Sequence, residues 1–241
     1  MAQKRVVVRR DMPALNNMKS EWIDKIMNTI KKLGMRAQCY EIIKEKILRQ
    51  EYDLGEYINI VSLSTELSVS NTPIREALSQ LEADGLVISS LNTKAQVVFF
   101  TPSSFKDIVQ SVYILVKGAY ELCVEENRIP ELLSMMEKSL KLQEELLIID
   151  DHYQFIKELV HFDQTIFEAL ENPHLLFLFK RLSNVLFLMY RTNHQRNDWE
   201  LLRSISEHRE IFNTIASGNH SEVEKVIREH YRQSYVEKSQ L

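Results

Sequence analysis

Two histidines stand at matched distances from a glycine. In the stretch SISEHREIFNTIASGNHSEVEKVIREHY, Gly218 has the position of a residue that ends one helix, and Asn219 or Ser221 that of a residue that caps the next. His208 lies 10 residues before Gly218 and His230 lies 12 after it. At a rise of ~1.5 Å per residue both are about 15–18 Å from the turn, so an antiparallel helix pair brings them to one level. His208 also falls in the stripe of Ile205, Ile211, Phe212 and Ile215 and therefore faces inward. Two inward imidazoles at one level are half of a metal site; the same spacing also allows a core pair in which each ring is hydrogen-bonded to a carbonyl or carboxylate. Asp163 is the candidate third ligand. It adjoins an inward face made of Leu159, Phe162, Ile166 and Leu170, where a carboxylate needs a cation or an ion pair. His152, His161, His174, His194 and His220 fall at helix ends, in loops or, for His161, across the helix from Asp163, and are read as surface residues.

A second chemistry is suggested near residue 70. In NIVSLSTELSVSNTPIREALSQLEADGLV, Leu63 and Leu67 pair on one short helix, while Ile74, Ala77, Leu78 and Leu81 form the apolar stripe of the next. Thr72 as N-cap and Pro73 at the first helical position signal its start, and Gly85 its end. That stripe leaves Ser70, Asn71, Thr72 and Arg75 at the exposed end of the helix. Arginine pairs bidentately with guanine and asparagine with adenine, while hydroxyls and first-turn N–H groups suit phosphate. A capped surface helix in an unrelated domain has the same local pattern.

The elements that position these residues are mostly helical. The 241 residues include only 5 Gly and 5 Pro, too few for a turn-dense all-β fold. Trp22, Ile23, Ile26, Met27, Ile30 and Leu33 predict a short helix closed by Gly34, and Tyr40, Ile42, Ile43, Ile47 and Leu48 a second one ending near Gln50. Residues 86–89 and 95–100 are β-prone and separated by Ser90-Leu91-Asn92-Thr93-Lys94, a hairpin. Thr101-Pro102 is the expected linker. Beyond it, helices are predicted over about 103–127, 130–148, 152–170, 173–193, 198–216 and 220–237, a six-helix bundle of antiparallel neighbours with room for an interior cavity. The expected organisation is a basic extension (1–35), a winged helix-turn-helix (36–101) and a helical domain (103–238).

Charge and composition narrow the partners. Residues 1–50 carry +7, residues 51–100 carry −5 and residues 101–241 carry −6, so nucleic-acid contact is expected at the N-terminal end only. Cys39 and Cys123 cannot make a disulfide framework and are read as reduced thiols. The apolar run from Leu175 to Tyr190 is interrupted by Lys180, Arg181, Ser183 and Asn184, so no membrane span is expected. The first residues lack a signal peptide's apolar core, and a cytoplasmic location is expected.

The string VSNTPIREALSQLEADGLV, preceded by LSTELS and Gly55, resembles the winged-helix signature of the GntR family of bacterial transcriptional regulators. The resemblance implies a homodimeric repressor on a palindromic operator of double-stranded DNA, with Ser70, Asn71, Thr72 and Arg75 in contact. Asn71 replaces a common arginine, and Lys94 replaces a wing glycine and adds a phosphate-seeking charge. HFDQTIFEALENPHLL, SEHREIFNTIASGN and REH look like the FCD domain of the FadR-type branch, which implies a small organic acid as effector. Many FCD domains hold a divalent metal through an Asp and a His four residues apart and two further His. His208 and His230 match the latter pair, but Leu159 stands at the Asp position and Asp163 at the His position. The resulting set, Asp163, His208 and His230, suits Zn²⁺, Ni²⁺ or Mn²⁺ with water or an effector carboxylate completing the shell. Arg181 and Arg191 are weighed as anchors for that carboxylate against solvated surface roles.

The alternative is a helical-bundle metalloprotein or metalloenzyme without specific DNA binding, since Glu158-x-x-His161 and Glu171-x-x-His174 have di-iron ligand spacing. Pro173 inside the second pair spoils its geometry. The five scattered glycines make no phosphate loop and neither cysteine is placed as a nucleophile, so no enzymatic activity is expected.

Overall fold

The computed structural model describes residues 34–89, 94–149, 151–193 and 198–236. The helix expected over residues 22–33 and the hairpin tip at 90–93 lie outside them. Gly34, expected to end that helix, is the N-cap of α1 (Met35–Leu48), with φ −64°. Helices α2 (Ile60–Leu67) and α3 (Asn71–Ala83) follow, then strands β1 (Val87–Ser89) and β2 (Ala95–Val97). The strands pair antiparallel, Val87 with Val97 and Ser89 with Ala95, and Tyr57 bridges to Gln96 on the outer edge. This is a winged helix. Its strands are shorter than the β-prone runs, although the Val98 N–H still donates to the Leu86 carbonyl in the same register.

The winged-helix core is the set of stripes seen in the sequence: Ile43, Ile47, Leu63, Ile74, Leu81 and Val97 are almost wholly buried. Helix α2 is capped by Asn59, whose side chain accepts from the N–H groups of Val61 and Ser62. Helix α3 begins earlier than its residues suggest. Ser70 is the N-cap, so Thr72 and Pro73 sit inside the first turn. A proline there is tolerated because first-turn N–H groups have no intrahelical acceptor.

Six helices make the second unit: α4 (Pro102–Glu125), α5 (Ile129–Ile148), α6 (His152–Ala169), α7 (Pro173–Asn193), α8 (Asp198–Ala216) and α9 (His220–Val236). Thr101-Pro102 is a helix start rather than a linker. Thr101 accepts from the Ser104 N–H while Ser104 returns a bond to the Thr101 N–H, a capping box that fixes α4 directly to the wing. Helix α6 is the centre of the bundle. Phe155, Ile156, Leu159, Val160, Phe162, Ile166 and Phe167 are buried on more than one of its faces, and it packs on α4, α5, α7 and α8. Gly218, with φ +71°, closes the α8–α9 hairpin.

The two units meet along α1, α6 and α7. The Tyr40 hydroxyl donates to Asp84 at 2.7 Å, and Arg181 of α7 approaches the other oxygen of Asp84 at 3.7 Å. The Tyr153 hydroxyl of α6 donates to Glu45 of α1 at 2.9 Å, with the Arg49 and Arg191 guanidinium groups over its ring. Arg181 and Arg191, weighed as effector anchors, belong to this seam. Gly85 lies here too. It has φ +75°, and a Cβ on it would meet Val185 of α7 at 3.3 Å. Gly85→Ala is therefore expected to destabilise the protein by about 1–2 kcal/mol, from left-handed strain and crowding together. Thermal unfolding measures this; an unchanged Tm would mean that the seam yields freely at Val185.

Candidate metal centre and DNA-reading helix

The antiparallel α8–α9 hairpin does what the spacing around Gly218 requires: the His208 and His230 rings lie with centroids 5.2 Å apart. Asp163 of α6 joins them. One donor atom from each of the three lies within 4.8 Å of the others, and all three residues are buried. Leu159, one turn earlier, is buried among apolar neighbours and offers no ligand, so one oxygen and two nitrogens make up the set.

Each imidazole is held from behind. His208 Nδ1 is 3.0 Å from the Gln143 carboxamide oxygen of α5, and Gln143 in turn donates to Ser139 at 3.3 Å. That oxygen only accepts, so the proton of His208 sits on Nδ1 and its Nε2 carries the lone pair. Phe162 stacks flat on the same ring, at 4.1 Å and 8°. His230 Nδ1 is 2.9 Å from Glu207, whose other oxygen pairs with Arg203 at 3.2 Å. Both rings thus present Nε2 as the ligating atom, oriented as metal-binding histidines are. Gln143 and Glu207 were missing from the sequence reading, although each left a trace. Ser139 and Gln143 form a polar i, i+4 pair in an apolar stripe, and Glu207 lies 11 residues before Gly218, level with His230.

The charges are consistent with a cation site. Burial pushes the Asp163 carboxyl up from its ordinary value of 3.8 to about 6, with the His230 charge and the Tyr231 hydroxyl holding part of the shift back. Burial, then the charge of His230, keeps His208 well below its usual range and hence neutral. Burial also opposes charge on His230, but the Glu207 hydrogen bond and the Asp163 and Glu207 charges outweigh it and raise the net value. An Nε2, Nε2 and carboxylate set inside a dry bundle fits Zn²⁺, Ni²⁺ or Mn²⁺ with positions left open.

The remaining histidines stand apart. His161 keeps a partly exposed side chain, with Glu158 at 3.0 Å and Glu168 at 3.5 Å flanking its ring. His220 bonds to the Tyr120 hydroxyl at 2.7 Å. His152 and His174 lie in the first turns of α6 and α7, and His194 is outside the described residues.

At the other end of the molecule, Ser70, Asn71, Thr72 and Arg75 are all exposed on the first turn and a half of α3. Ser70 makes no capping hydrogen bond, which leaves the first-turn N–H groups for an outside acceptor. Among the described residues Arg75 makes no ion pair. Lys94 is exposed at the base of the wing, its ammonium 5.7 Å from the Tyr57 ring centroid.

Residues 108–233 match the FCD domain family, and residues 35–92 match the bacterial regulatory proteins of the gntR family. The chain belongs to the GntR family of transcriptional regulators and carries an FCD domain. It is 25% identical over 195 residues to the HTH-type transcriptional regulator YdhC of Bacillus subtilis, covering 80% of this chain and 86% of that one. Among solved structures, Escherichia coli McbR/YncC matches with a TM-score of 0.68 at 19% identity, over 84% of this chain and 95% of that one. A GntR regulator from Rhodococcus sp. RHA1 matches equally, TM-score 0.68 at 16% identity, over 84% and 96% of the two chains. At those identities the likeness is one of fold. The family consists of regulators rather than enzymes, and no helix among the described residues is long and apolar enough to cross a membrane.

The buried carboxylate gives this regulator a pH signature. Asp163 binds its proton more tightly folded than unfolded, so its contribution to stability is present at low pH and is lost as pH rises through about 6. In chelator-treated protein at pH 8, Asp163→Asn is expected to raise stability by ~1–3 kcal/mol, since it removes a charge held at a cost. With Zn²⁺ added the order reverses, because the variant loses a ligand. A lower Tm for the metal-free variant at pH 8 would contradict this account.

Proposed function

We propose that this GntR-family chain is a cytoplasmic, homodimeric repressor that binds a palindromic operator and responds to a small organic acid held in the FCD domain with a divalent metal. The observation that carries the ligand response is the course of α6. This helix holds Asp163 in the donor set and, ten residues away, Tyr153 in the seam with α1. Helix α7 makes a parallel link: Tyr190 lies among the buried groups near Tyr231, while Arg181 reaches Asp84.

The residues divide the work as follows. Asp163, His208 and His230 hold the metal, and Gln143 and Glu207 fix the tautomers that make this feasible. The bound ion supplies a Lewis-acidic anchor for the effector carboxylate. A shift of α6 or α7 on binding moves the Tyr153–Glu45 and Asp84–Arg181 contacts, and with them the winged helix. Asn71 and Arg75 read base edges, Ser70, Thr72 and the open N–H groups take phosphate, and Lys94 adds a backbone contact from the wing.

Two helices support dimerisation. Ile114 on α4 and Phe177 and Leu178 on α7 are 66%, 61% and 46% exposed, on helices that pack against each other. Apolar side chains of that size, left open on adjoining helices, suit a second copy.

Selection of binding sites from random duplex DNA tests the whole reading: a two-fold-related sequence is the expected product, and enrichment of nothing would refute it. On the selected site, Arg75→Ala should weaken binding by ~1–3 kcal/mol and relax one base position without altering Tm. Tyr153→Phe should leave metal uptake unchanged, as measured by metal analysis, and shrink the effect of metal and acid on operator affinity. An undiminished effect would exclude α6 as the link.

A further inference from the structure

We infer that the groove between the winged helix and the bundle is a second ligand site, for an amphiphilic anion with an apolar body and a carboxylate or phosphate head. The groove is open to solvent, has a volume of about 920 Å³ and lies on the side of α6 away from the histidine cluster. That volume is within the ~300–1,000 Å³ of small-molecule sites, and domain seams are where such sites concentrate. It is independent of whether the histidine cluster takes metal.

Its walls have two characters. Leu48 of α1, Leu146 of α5, Val160 of α6 and Phe187 of α7 give an apolar floor, extended by Leu142 and Ile149, which are 41% and 40% exposed. Lys44 and Arg49 from α1, Lys157 from α6 and Lys180 from α7 bring four cations to the same groove, in a chain whose net charge is −4. Two carboxylates also line it, and both are engaged. Asp151 caps α6 by accepting from the Gln154 N–H, and Glu158 is bonded to His161 at 3.0 Å. Among the described residues Lys180 makes no ion pair and the Lys44 ammonium has only a long contact, 3.9 Å, with Glu41, whereas Arg49 is paired with Glu45 at 3.3 Å. Positive charge in excess over an apolar floor selects an anion that also has apolar surface to bury.

An occupant of this groove touches α1 and the bundle at once. It therefore favours the arrangement in which Arg181–Asp84 and Tyr153–Glu45 are closed, and its binding and operator binding must alter each other by one common factor. The regulator thus has an input at the seam besides the one in the bundle.

Calorimetric titration of the full chain with octanoate and octyl phosphate tests this, with octylammonium and acetate as controls for head and body. Saturable binding of one anion per protomer is expected, the tighter of the two naming the head group, with octylammonium and acetate at least about tenfold weaker. Lys180→Glu, which removes an exposed charge, and Ser183→Trp, which fills the groove, should each weaken the anion about tenfold or more. If one of these variants does not fold by circular dichroism, the other carries the result. His208→Ala/His230→Ala should bind the anion as the parent does. The inference is overturned if neither anion binds, if octylammonium or acetate binds equally well, if both folded groove variants keep full affinity, or if the histidine variant alone abolishes binding.

Discussion

A carboxylate buried in an apolar bundle has to be matched by positive charge, and much of this fold is arranged around that requirement at Asp163. Desolvating such a group without a partner costs several kcal/mol, more than any one packing contact supplies. The match comes from the α8–α9 hairpin, whose register places two imidazoles opposite α6. Gln143 and Glu207 then leave the rings little freedom to turn away. The histidine nearer α5 stays neutral and stacked on Phe162, while the one nearer Glu207 is the more basic of the two. A divalent ion held by Asp163, His208 and His230 would supply the positive charge that the carboxylate needs.

Helix α6 converts this local balance into a property of the whole chain. It is packed from several sides by phenylalanine, isoleucine and leucine, so it moves as a rigid rod if it moves at all. One end carries the buried acid and the other carries Tyr153, gripped between two guanidinium groups and bonded across the seam. The joint to the winged helix is polar and of few contacts, which suits a boundary that has two settings better than a fused core would.

Much of this was legible in the residues. The helix boundaries were marked by Pro130, Pro173, Gly85 and Gly218, and the meeting of His208 with His230 followed from counting outward from one glycine. Asp163 stood out as a charge beside an apolar face. The partners behind the rings were harder, because Gln143 lies 65 residues from His208 and no local period reports that distance. The seam was not legible at all. Glu45–Tyr153 and Asp84–Arg181 join residues 108 and 97 positions apart, and no local period reports such distances. The start of α3 was misplaced by two residues because serine, asparagine and threonine in a row offer three equivalent caps, and proline fits any position of a first turn.

The bare first turn of α3 separates searching from recognition. A capping side chain ordinarily contributes ~0.5–2 kcal/mol to a helix start, and Ser70 does not supply it. Any phosphate can, so every stretch of duplex completes the helix equally well and holds the protein without regard to sequence. In the proposed reading, discrimination is left to the Asn71 and Arg75 side chains on the same turn. Travel along DNA and arrest at one site would then be governed by different atoms of a single helical turn, the first by the backbone and the second by the side chains.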